Sequence, residues 1–321
     1  MKKLAFSILL ALFATEMSAQ ESQTGYNFLR LPMGAHAAAL GGDNITLIED
    51  DEALIFHNPA LLSSVSDKTI NLNYMNYMSG VNIASASFNR IVKEKASWAV
   101  SAEYIDYGKM KQTDENNSQM GEFSAKDIAL TGYFSYMLGE RIAGGIAAKF
   151  ITSYIGDYNS IAVGVDLGLN YYDPEREWSV SAVAKNLGGQ LKAYDEEYEK
   201  MPIDLQVGVS KRFVNTPFRV SATLVNLNHW DSGLKNHAVI GADLLLSESI
   251  WVGAGYNFRR ADEMKIVNSD DADNSDNSSS SHGAGWSFGG GINLERFHLN
   301  IAYGKYHVSS SSLLLNVGYK L

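Results

Sequence analysis

Cysteine is absent from the 321-residue chain, and proline is scarce, with five residues. The missing cysteine excludes disulfides, thiolate chemistry, cysteine-ligated zinc and a lipid-modified N-terminal cysteine. Basic residues are also in deficit, because 26 Lys and Arg stand against 36 Asp and Glu, for a net charge of −10. This acidic balance argues against nucleic acid as a partner.

The chain also lacks a run of about 20 apolar residues, which a membrane-spanning helix would need. Its longest apolar stretch follows Lys2 and Lys3 and ends at Ser18-Ala19. That arrangement is typical of a secretory signal peptide, so we predict a signal peptide over residues 1–19 and an exported protein. Met17 is large for its place before the cut, which leaves the cleavage position open.

What the chain has instead is an alternation of apolar and polar residues with a period of two, which predicts β-strands. From Ile161 to Tyr171, bulky apolar residues occupy every second position, and mostly Gly, Ala, Asp and Asn occupy the others. Such runs are about 9 to 15 residues long, whereas strands of soluble proteins have about 5 or 6. A tilted strand that crosses a membrane needs about 9 to 11 residues.

We therefore predict an all-β fold, a transmembrane antiparallel up-and-down β-barrel of about fourteen strands. Its strands are expected to begin near Thr69, Asn82, Ala96, Ser124, Arg141, Tyr158, Arg176, Pro202, Pro217, Asn236, Ser249, Ala284, Phe297 and Ser312. Tight connections alternate with longer ones, at Gly108–Phe123, Gly188–Met201, Asn228–Lys235 and Arg259–Gly283. Outer-membrane barrels have short periplasmic turns and long outer loops, so we predict a bacterial outer-membrane location with both termini periplasmic and the long loops at the cell surface.

Aromatic residues cluster near the predicted strand ends. Their rings combine an apolar body with a polar tip, which favours girdles at the two membrane interfaces; aromatic packing in a soluble sandwich is the alternative. The set comprises Tyr74, Tyr77, Tyr104, Tyr107, Tyr133, Tyr136, Tyr154, Tyr171, Tyr172, Trp178, Trp251, Tyr256, Phe258, Trp286, Tyr303 and Tyr306.

The segment Gly25–Leu62 does not alternate and is a poor candidate for a strand. It is rich in small residues, carries an acidic run at Glu49–Glu52 and ends in a turn at Asn58-Pro59. One short helical turn is expected at Ala37–Leu40, stopped by Gly41-Gly42. The polar strand face is mostly small, with scattered charges at Glu103, Lys149, Asp166, Lys185 and Asp243, and leaves room inside a barrel. We predict an N-terminal hatch over residues 20–66, inside or under a barrel formed by residues 67–321.

Few residue patterns point to catalysis. Gly285–Gly289 matches G-x-S-x-G, with Glu295 and His298 following, but the motif starts a strand and lacks the strand–turn–helix context of a hydrolase. A chance match is the favoured interpretation, and a barrel-wall hydrolase using Ser287 stays open as a third function. We predict no enzyme activity and no cofactor.

Metal sites have equally little support in the sequence. Glu49–Glu52 could bind calcium, but its spacing differs from that of a calcium loop, and a solvated acidic turn is favoured. Asn268–His282 reads as a solvated outer loop, with cation or partner binding as the alternative. The histidines show no zinc spacing, and His57 is interpreted as a turn or packing residue.

The N-terminal sequence resembles a known family. Leu31–Gly42 (LPMGAHAAALGG) and Ile55–Ala60 (IFHNPA) are similar to the hatch of FadL-type outer-membrane proteins, and in particular to the PorV/PorQ subfamily of the type IX secretion system. The resemblance is specific over about Gly25–Ser87. It implies a fourteen-stranded barrel with an N-terminal hatch in which Asn58 and Pro59 are structural residues.

The resemblance also implies partners and a role. Such a barrel would anchor a PorZ-like surface protein within an attachment complex with PorU and PorV, which links secreted cargo to lipopolysaccharide. The expected partners are thus outer-membrane lipid and this surface complex. A FadL-like transporter of hydrophobic molecules, working through a hatch-gated lumen, is the alternative.

Overall fold

The computed structural model describes residues 24–78, 80–114, 116, 118–230, 233–247, 249–264, 283–307 and 310–321. The predicted signal peptide at 1–19 and the low-complexity stretch at 268–282 lie outside these residues. Among the described residues, no helix has the length and apolar character needed to cross a membrane.

Fourteen antiparallel strands form one closed barrel, as predicted. Each strand pairs with its sequence neighbours, and β1 closes the barrel against β14 from the Thr69–Lys320 pair to the Asn76–Leu313 pair. The strands are β1 (Thr69–Met78), β2 (Val81–Lys93), β3 (Ala96–Thr113), β4 (Gln119–Met137), β5 (Ile142–Ile155), β6 (Tyr158–Asp173), β7 (Trp178–Lys192), β8 (Asp204–Arg212), β9 (Phe218–Leu224), β10 (Ala238–Leu245), β11 (Ile250–Asn257), β12 (Trp286–Asn293), β13 (Phe297–His307) and β14 (Ser310–Lys320).

The wall is apolar outside and polar inside. On β1, Leu72 is 52% exposed whereas its neighbours Asn71 and Asn73 are 1% and 5% exposed. The same alternation of exposed apolar and buried polar residues recurs around the barrel, for example with Leu167 and Leu169 outside and Asp166 inside. Burying asparagine while exposing leucine would be unfavourable in water, so the outer surface is suited to lipid. A soluble sandwich is excluded by this arrangement.

The aromatic residues divide between the two faces. Those that lie outward near strand ends, as a girdle requires, are Tyr74, Tyr104, Tyr136, Tyr154, Tyr171, Trp178, Trp286 and Tyr303. The girdle prediction is wrong for Tyr133 and Trp251, which are buried in the lumen, and for Tyr77, Tyr107 and Tyr306, which pack against the interior core. Their positions have inward parity, which proximity to a strand end does not reveal.

The two ends of the barrel differ in their connections. At the turn end, where Thr69 and Lys320 lie, consecutive strands are joined by two to five residues. At the opposite end, here called the loop end, the connections after β7, β9 and β11 are longer and include a 3-10 turn at Leu234–His237 and helix α2 (Phe258–Glu263).

The predicted loop at Gly108–Phe123 is wrong. β3 continues to Thr113 and β4 starts at Gln119, and their outer parts pair with each other in a projecting hairpin. Neither β2 nor β5 reaches that far, since their last pairs with these strands involve Asp106 and Ala125. Likewise β7 extends to Lys192, into the predicted loop at Gly188–Met201.

Residues 24–66 cross the lumen from one end to the other. Helix α1 (Ala35–Ala39) forms where a short helical turn was predicted, and Gly41 and Gly42, with φ of 106° and 101°, end it. Two 3-10 turns follow, at Glu52–Phe56 and Pro59–Ser64. Gly25 N–H donates to Lys200 in the β7–β8 connection, so the described chain starts at the loop end and finishes at the turn end. The described residues thus begin at one end of the barrel and finish at the other, and the periplasmic location of both termini stays a prediction.

Candidate functional site

The hatch, defined here as residues 24–66, packs its backbone directly against glycines of the wall. A Cβ on Gly145 would overlap the backbone of Pro59 and Ala60, and one on Gly255 would overlap the backbone of Leu40 and Gly41. These inward glycines let backbone approach backbone, so the small-residue face seen in the sequence is a seat for the hatch.

Asn58 and Pro59 organise the turn-end half of the hatch. Asn58 is fully buried; its side-chain oxygen accepts from Ala60 N–H at 3.0 Å, and its Nδ2 donates to the Ile45 carbonyl at 3.1 Å. Pro59 occupies the first position of the 3-10 turn, where no backbone donor is needed. The pair thus caps one turn and ties it to the preceding segment, which is a structural task.

A buried cluster of charges joins the hatch to the wall. His36 from α1 and Glu49 from the hatch meet Arg219 from β9 and Asp243 from β10; we call these four residues the latch cluster. His36 Nδ1 lies 2.7 Å from Glu49 Oε2, and His36 Nε2 lies 2.8 Å from Asp243 Oδ2. The Arg219 guanidinium bonds to both carboxylates. Two positive and two negative groups therefore form a compact neutral network.

The His36 ring is completely enclosed. Trp251 of β11 stacks on it with the ring centroids 3.5 Å apart and the planes 6° from parallel. Burial alone would lower the pKa of His36, but the facing Glu49 and Asp243 carboxylates raise it above its usual value. Burial would raise the pKa of Glu49, yet Arg219 and His36 hold that pKa well below its ordinary range.

The latch cluster also has the ligand atoms of a metal site, because the His36, Glu49 and Asp243 donors lie within 4.8 Å of one another. Arg219, however, already places its guanidinium between the two carboxylates, 2.5 Å from Glu49 Oε1. The cationic position is filled by a side chain, so the donor set does not fit a metal ion.

The predicted solvated acidic turn at Glu49–Glu52 is wrong. Glu49 belongs to the latch cluster, and Asp51 and Glu52 are 6% and 1% exposed. Asp51 accepts from Ala53 N–H and from Asn300 of the wall, and burial raises its pKa to about 6. Burial also raises the pKa of Glu52, to about 8, with the Ser87 hydroxyl of β2 acting in the opposite direction. The carboxylates turn to separate partners, an arrangement that does not suit calcium.

Several other hatch contacts are made by neutral side chains. Asn300, whose side-chain amide donates to Asp51, is the first of a series of hydrogen-bonded amides across β13, β14 and β1. Asn300 donates to Asn316, and Asn316 donates to Asn71 and Asn73. His57, predicted as a turn or packing residue, is buried and accepts from Gly34 N–H at 3.4 Å. Burial holds its pKa well below the usual value.

Ser287 contacts the hatch, not a catalytic partner. Its hydroxyl donates to the Ala39 carbonyl at 3.1 Å and accepts from Gly41 N–H at 3.0 Å. Ser287 pairs with Gly304 of β13, and His298 lies six residues along that strand, roughly 20 Å away at the rise of a strand. The structure therefore does not bring the G-x-S-x-G serine and the histidine together.

The five predicted inward charges lie in the lumen as expected. Lys149 pairs with Asp166 at 2.7 Å, and Glu103, Lys185 and Asp243 are buried. The sequence reasoning missed Arg219 and Trp251 as members of the site. A signal for Arg219 existed, because it alternates with the outward Phe218 and Val220 in β9 and therefore had to face inward.

Two of the cavities that border the hatch are small and polar. One of about 160 Å³ near the loop end is lined by Arg30, Asp43, Arg260 and Tyr306. Another of about 100 Å³ near the turn end is lined by Arg212 and Arg219, among others. Larger apolar hollows, such as that of about 560 Å³ around Leu130, lie on the lipid-facing surface. A hydrophobic molecule would need the hatch to move before it could cross.

Comparison with known proteins identifies the fold. No protein-family model matches the chain, and no curated protein sequence does. Among solved structures, the toluene transporter TodX of Pseudomonas putida is similar with a TM-score of 0.58 at 14% identity, over 90% of this chain and 97% of that one. The toluene transporter TbuX of Ralstonia pickettii gives 0.58 at 12% identity, over 92% and 100%.

A third structure, the monoaromatic hydrocarbon channel CymD, has a TM-score of 0.58 at 14% identity, over 90% of this chain and 97% of that one. At such low identity the likeness concerns the fold alone. The chain thus has a FadL-like barrel fold, which it shares with these toluene transporters and this hydrocarbon channel.

Proposed function

We propose that the protein is an outer-membrane conduit for small hydrophobic molecules, closed at rest by its hatch. The observation that carries this proposal is a fold shared, over nine-tenths of the chain, with hydrocarbon channels. The loop end would face the cell surface and the turn end the periplasm, as in outer-membrane barrels with long outer loops. Passage requires the hatch to leave its seat, because charged side chains line the cavities around it.

Uptake measurements test the conduit. Cells without a hydrocarbon channel of their own are compared with and without this protein for uptake of labelled toluene. Faster uptake is expected with the folded protein in the membrane. Equal uptake in both cultures would contradict the proposal.

The second candidate is an anchor for a surface protein, with the hatch as a permanent plug. Two observations favour it: the resemblance of residues 25–87 to the PorV/PorQ subfamily, and the β3–β4 hairpin that extends past both neighbouring strands. The anchored protein would be PorZ-like, in an attachment complex with PorU and PorV of the type IX secretion system. The hairpin would then be a docking element.

The two candidates differ in what a deletion strain loses. If the protein is an anchor, its deletion releases secreted cargo from the cell surface and leaves hydrocarbon uptake unchanged. If it is a conduit, its deletion slows hydrocarbon uptake and leaves the cargo attached. Recovery of one large surface protein with the tagged full-length barrel supports the anchor. Cargo that stays attached in the deletion strain contradicts it.

A further inference from the structure

His36 makes two contacts to carboxylates that its protonated ring satisfies together. Both nitrogens of the His36 ring lie within 2.8 Å of a carboxylate oxygen. Nδ1 faces the Glu49 carboxylate, and Nε2 faces the Asp243 carboxylate. A neutral imidazole has one N–H, so its other nitrogen would direct a lone pair at a carboxylate. The Arg219 guanidinium also approaches Nε2, at 3.3 Å, but that contact is longer than the two carboxylate contacts. The enclosed geometry, with Trp251 covering the ring, therefore favours the imidazolium.

The charges around His36 come from both sides of the hatch–wall boundary. Glu49 belongs to the hatch, and Arg219 and Asp243 belong to β9 and β10. Asp51 of the hatch acts on the cluster at longer range. With His36 charged, the four latch residues sum to zero. Without that proton, two carboxylates share one guanidinium and a net negative charge remains buried, which is costly.

We propose that the latch cluster is a proton-operated lock, which holds the hatch in the lumen while His36 is protonated and releases it when His36 loses its proton. The direction follows from linkage. Because the pKa of His36 is raised in the docked state, the lock is fully in place below the pKa of about 6.5 of a free histidine, and it weakens as the pH rises through the raised value. The lock requires neither the conduit nor the anchor function.

Ser287→Cys provides a reporter for hatch release. The chain has no cysteine of its own, and Ser287 is fully buried against Ala39 and Gly41 of the hatch, so the thiol is shielded until that segment leaves. The full-length protein in detergent micelles is treated with a maleimide from pH 6 to pH 10. Each rate is divided by the rate for the urea-unfolded protein at the same pH, which removes the intrinsic thiol titration.

The normalised rate is expected to rise by about tenfold or more across this range, as befits loss of one partner from a buried charge network. His36→Gln should react rapidly already at pH 6 and show little further rise. The matched control His229→Gln changes an exposed histidine outside the cluster and should follow the parent. Glu52→Gln removes another hatch group, whose pKa of about 8 lies in this range, and should keep most of the rise.

Two outcomes overturn the lock. One is a flat profile for the parent protein, which decides the matter even if His36→Gln does not fold. The other is a rise that persists in His36→Gln and disappears in Glu52→Gln, which would assign the response to Glu52. Retained heat-modifiable migration on gels verifies that each variant has a folded barrel.

Discussion

Single glycines set how closely the hatch approaches the wall. At Gly255 an added Cβ would overlap the backbone of Leu40 and Gly41, which sits at the end of α1 and has a positive φ of its own. Backbone at this position has no rotamer with which to move aside. Either the β11 backbone or the hatch backbone must shift to make room for the Cβ. Both shifts loosen the packing of the hatch segment that carries His36.

Gly255→Ala is expected to loosen the hatch by about 1–3 kcal/mol, the usual cost of overpacking. Limited proteolysis of residues 24–66 should become faster while the barrel stays folded. Gly132→Ala is the matched control, because a Cβ there meets nothing within 4 Å. Equal proteolysis of the two variants would contradict the close seat described here.

The buried Glu52 gives a second prediction at this scale. Its pKa of about 8 in the docked hatch exceeds the ordinary value of 4.5, because burial disfavours the charged form. Between these values the undocked state binds fewer protons, so docking weakens as the pH rises and levels off above pH 8. Hydrogen exchange of the Glu52–Phe56 turn should show this decline in protection. Glu52→Gln should make the decline shallower, and an unchanged slope would contradict a buried neutral carboxyl.

At the scale of elements, strands were predictable and hatch contacts were not. The predicted starts at Thr69, Ala96, Tyr158 and Phe297 coincide with the observed ones, because long alternating runs define both strand and face. The latch cluster joins residues up to 207 positions apart in the sequence, and no local sequence pattern predicts such a long-range contact. The acidic run was misread for the same reason, since its partner Arg219 lies on a distant strand.

The projecting hairpin was misread because most of its residues are polar and no regular apolar–polar alternation runs through it. Beyond the wall a strand has water on each side, so the alternation that marks a membrane strand disappears while the ladder continues. Such a hairpin pairs only with itself and contributes nothing to barrel closure.

Shortening the hairpin is therefore expected to leave the barrel intact. Lys109 and Ser124 are paired, so an Asn-Gly turn can replace residues 110–123 between them. Heat-modifiable migration and the urea midpoint should match those of the parent. The contrasting variant joins Ser153 to Ser160 by the same turn; it removes Ile155, which pairs with Ala125 of β4, and should destabilise the wall. A hairpin variant as unstable as this one would contradict the independence of the hairpin.

At the scale of the whole molecule, the two faces of the barrel wall need different surroundings. The outer face needs lipid, and the inner face needs the hatch. The inner face is polar, and hatch side chains and backbone satisfy much of it, as with Asn300 and Ser287. The outer face of the described strands presents exposed apolar side chains around the barrel. The molecule thus reverses the usual distribution of polarity, and its stability depends on the solvent at each face.

Leu130→Arg tests that dependence. Leu130 is 52% exposed and lies within the wall, paired to Ala102 on one side and Phe150 on the other. A charge at such a lipid-facing position costs about 2–4 kcal/mol near the bilayer midplane. Urea unfolding in lipid vesicles should show a destabilisation of that size.

Met120→Arg is the control for this change. Met120 is 69% exposed on the same strand but lies in the hairpin beyond the wall, where water is expected on both sides. The same arginine should therefore be tolerated there, because its charge stays hydrated. If the two substitutions were equally mild, the apolar outer face would not be in contact with hydrocarbon, and the membrane-spanning arrangement of the fourteen strands would be refuted.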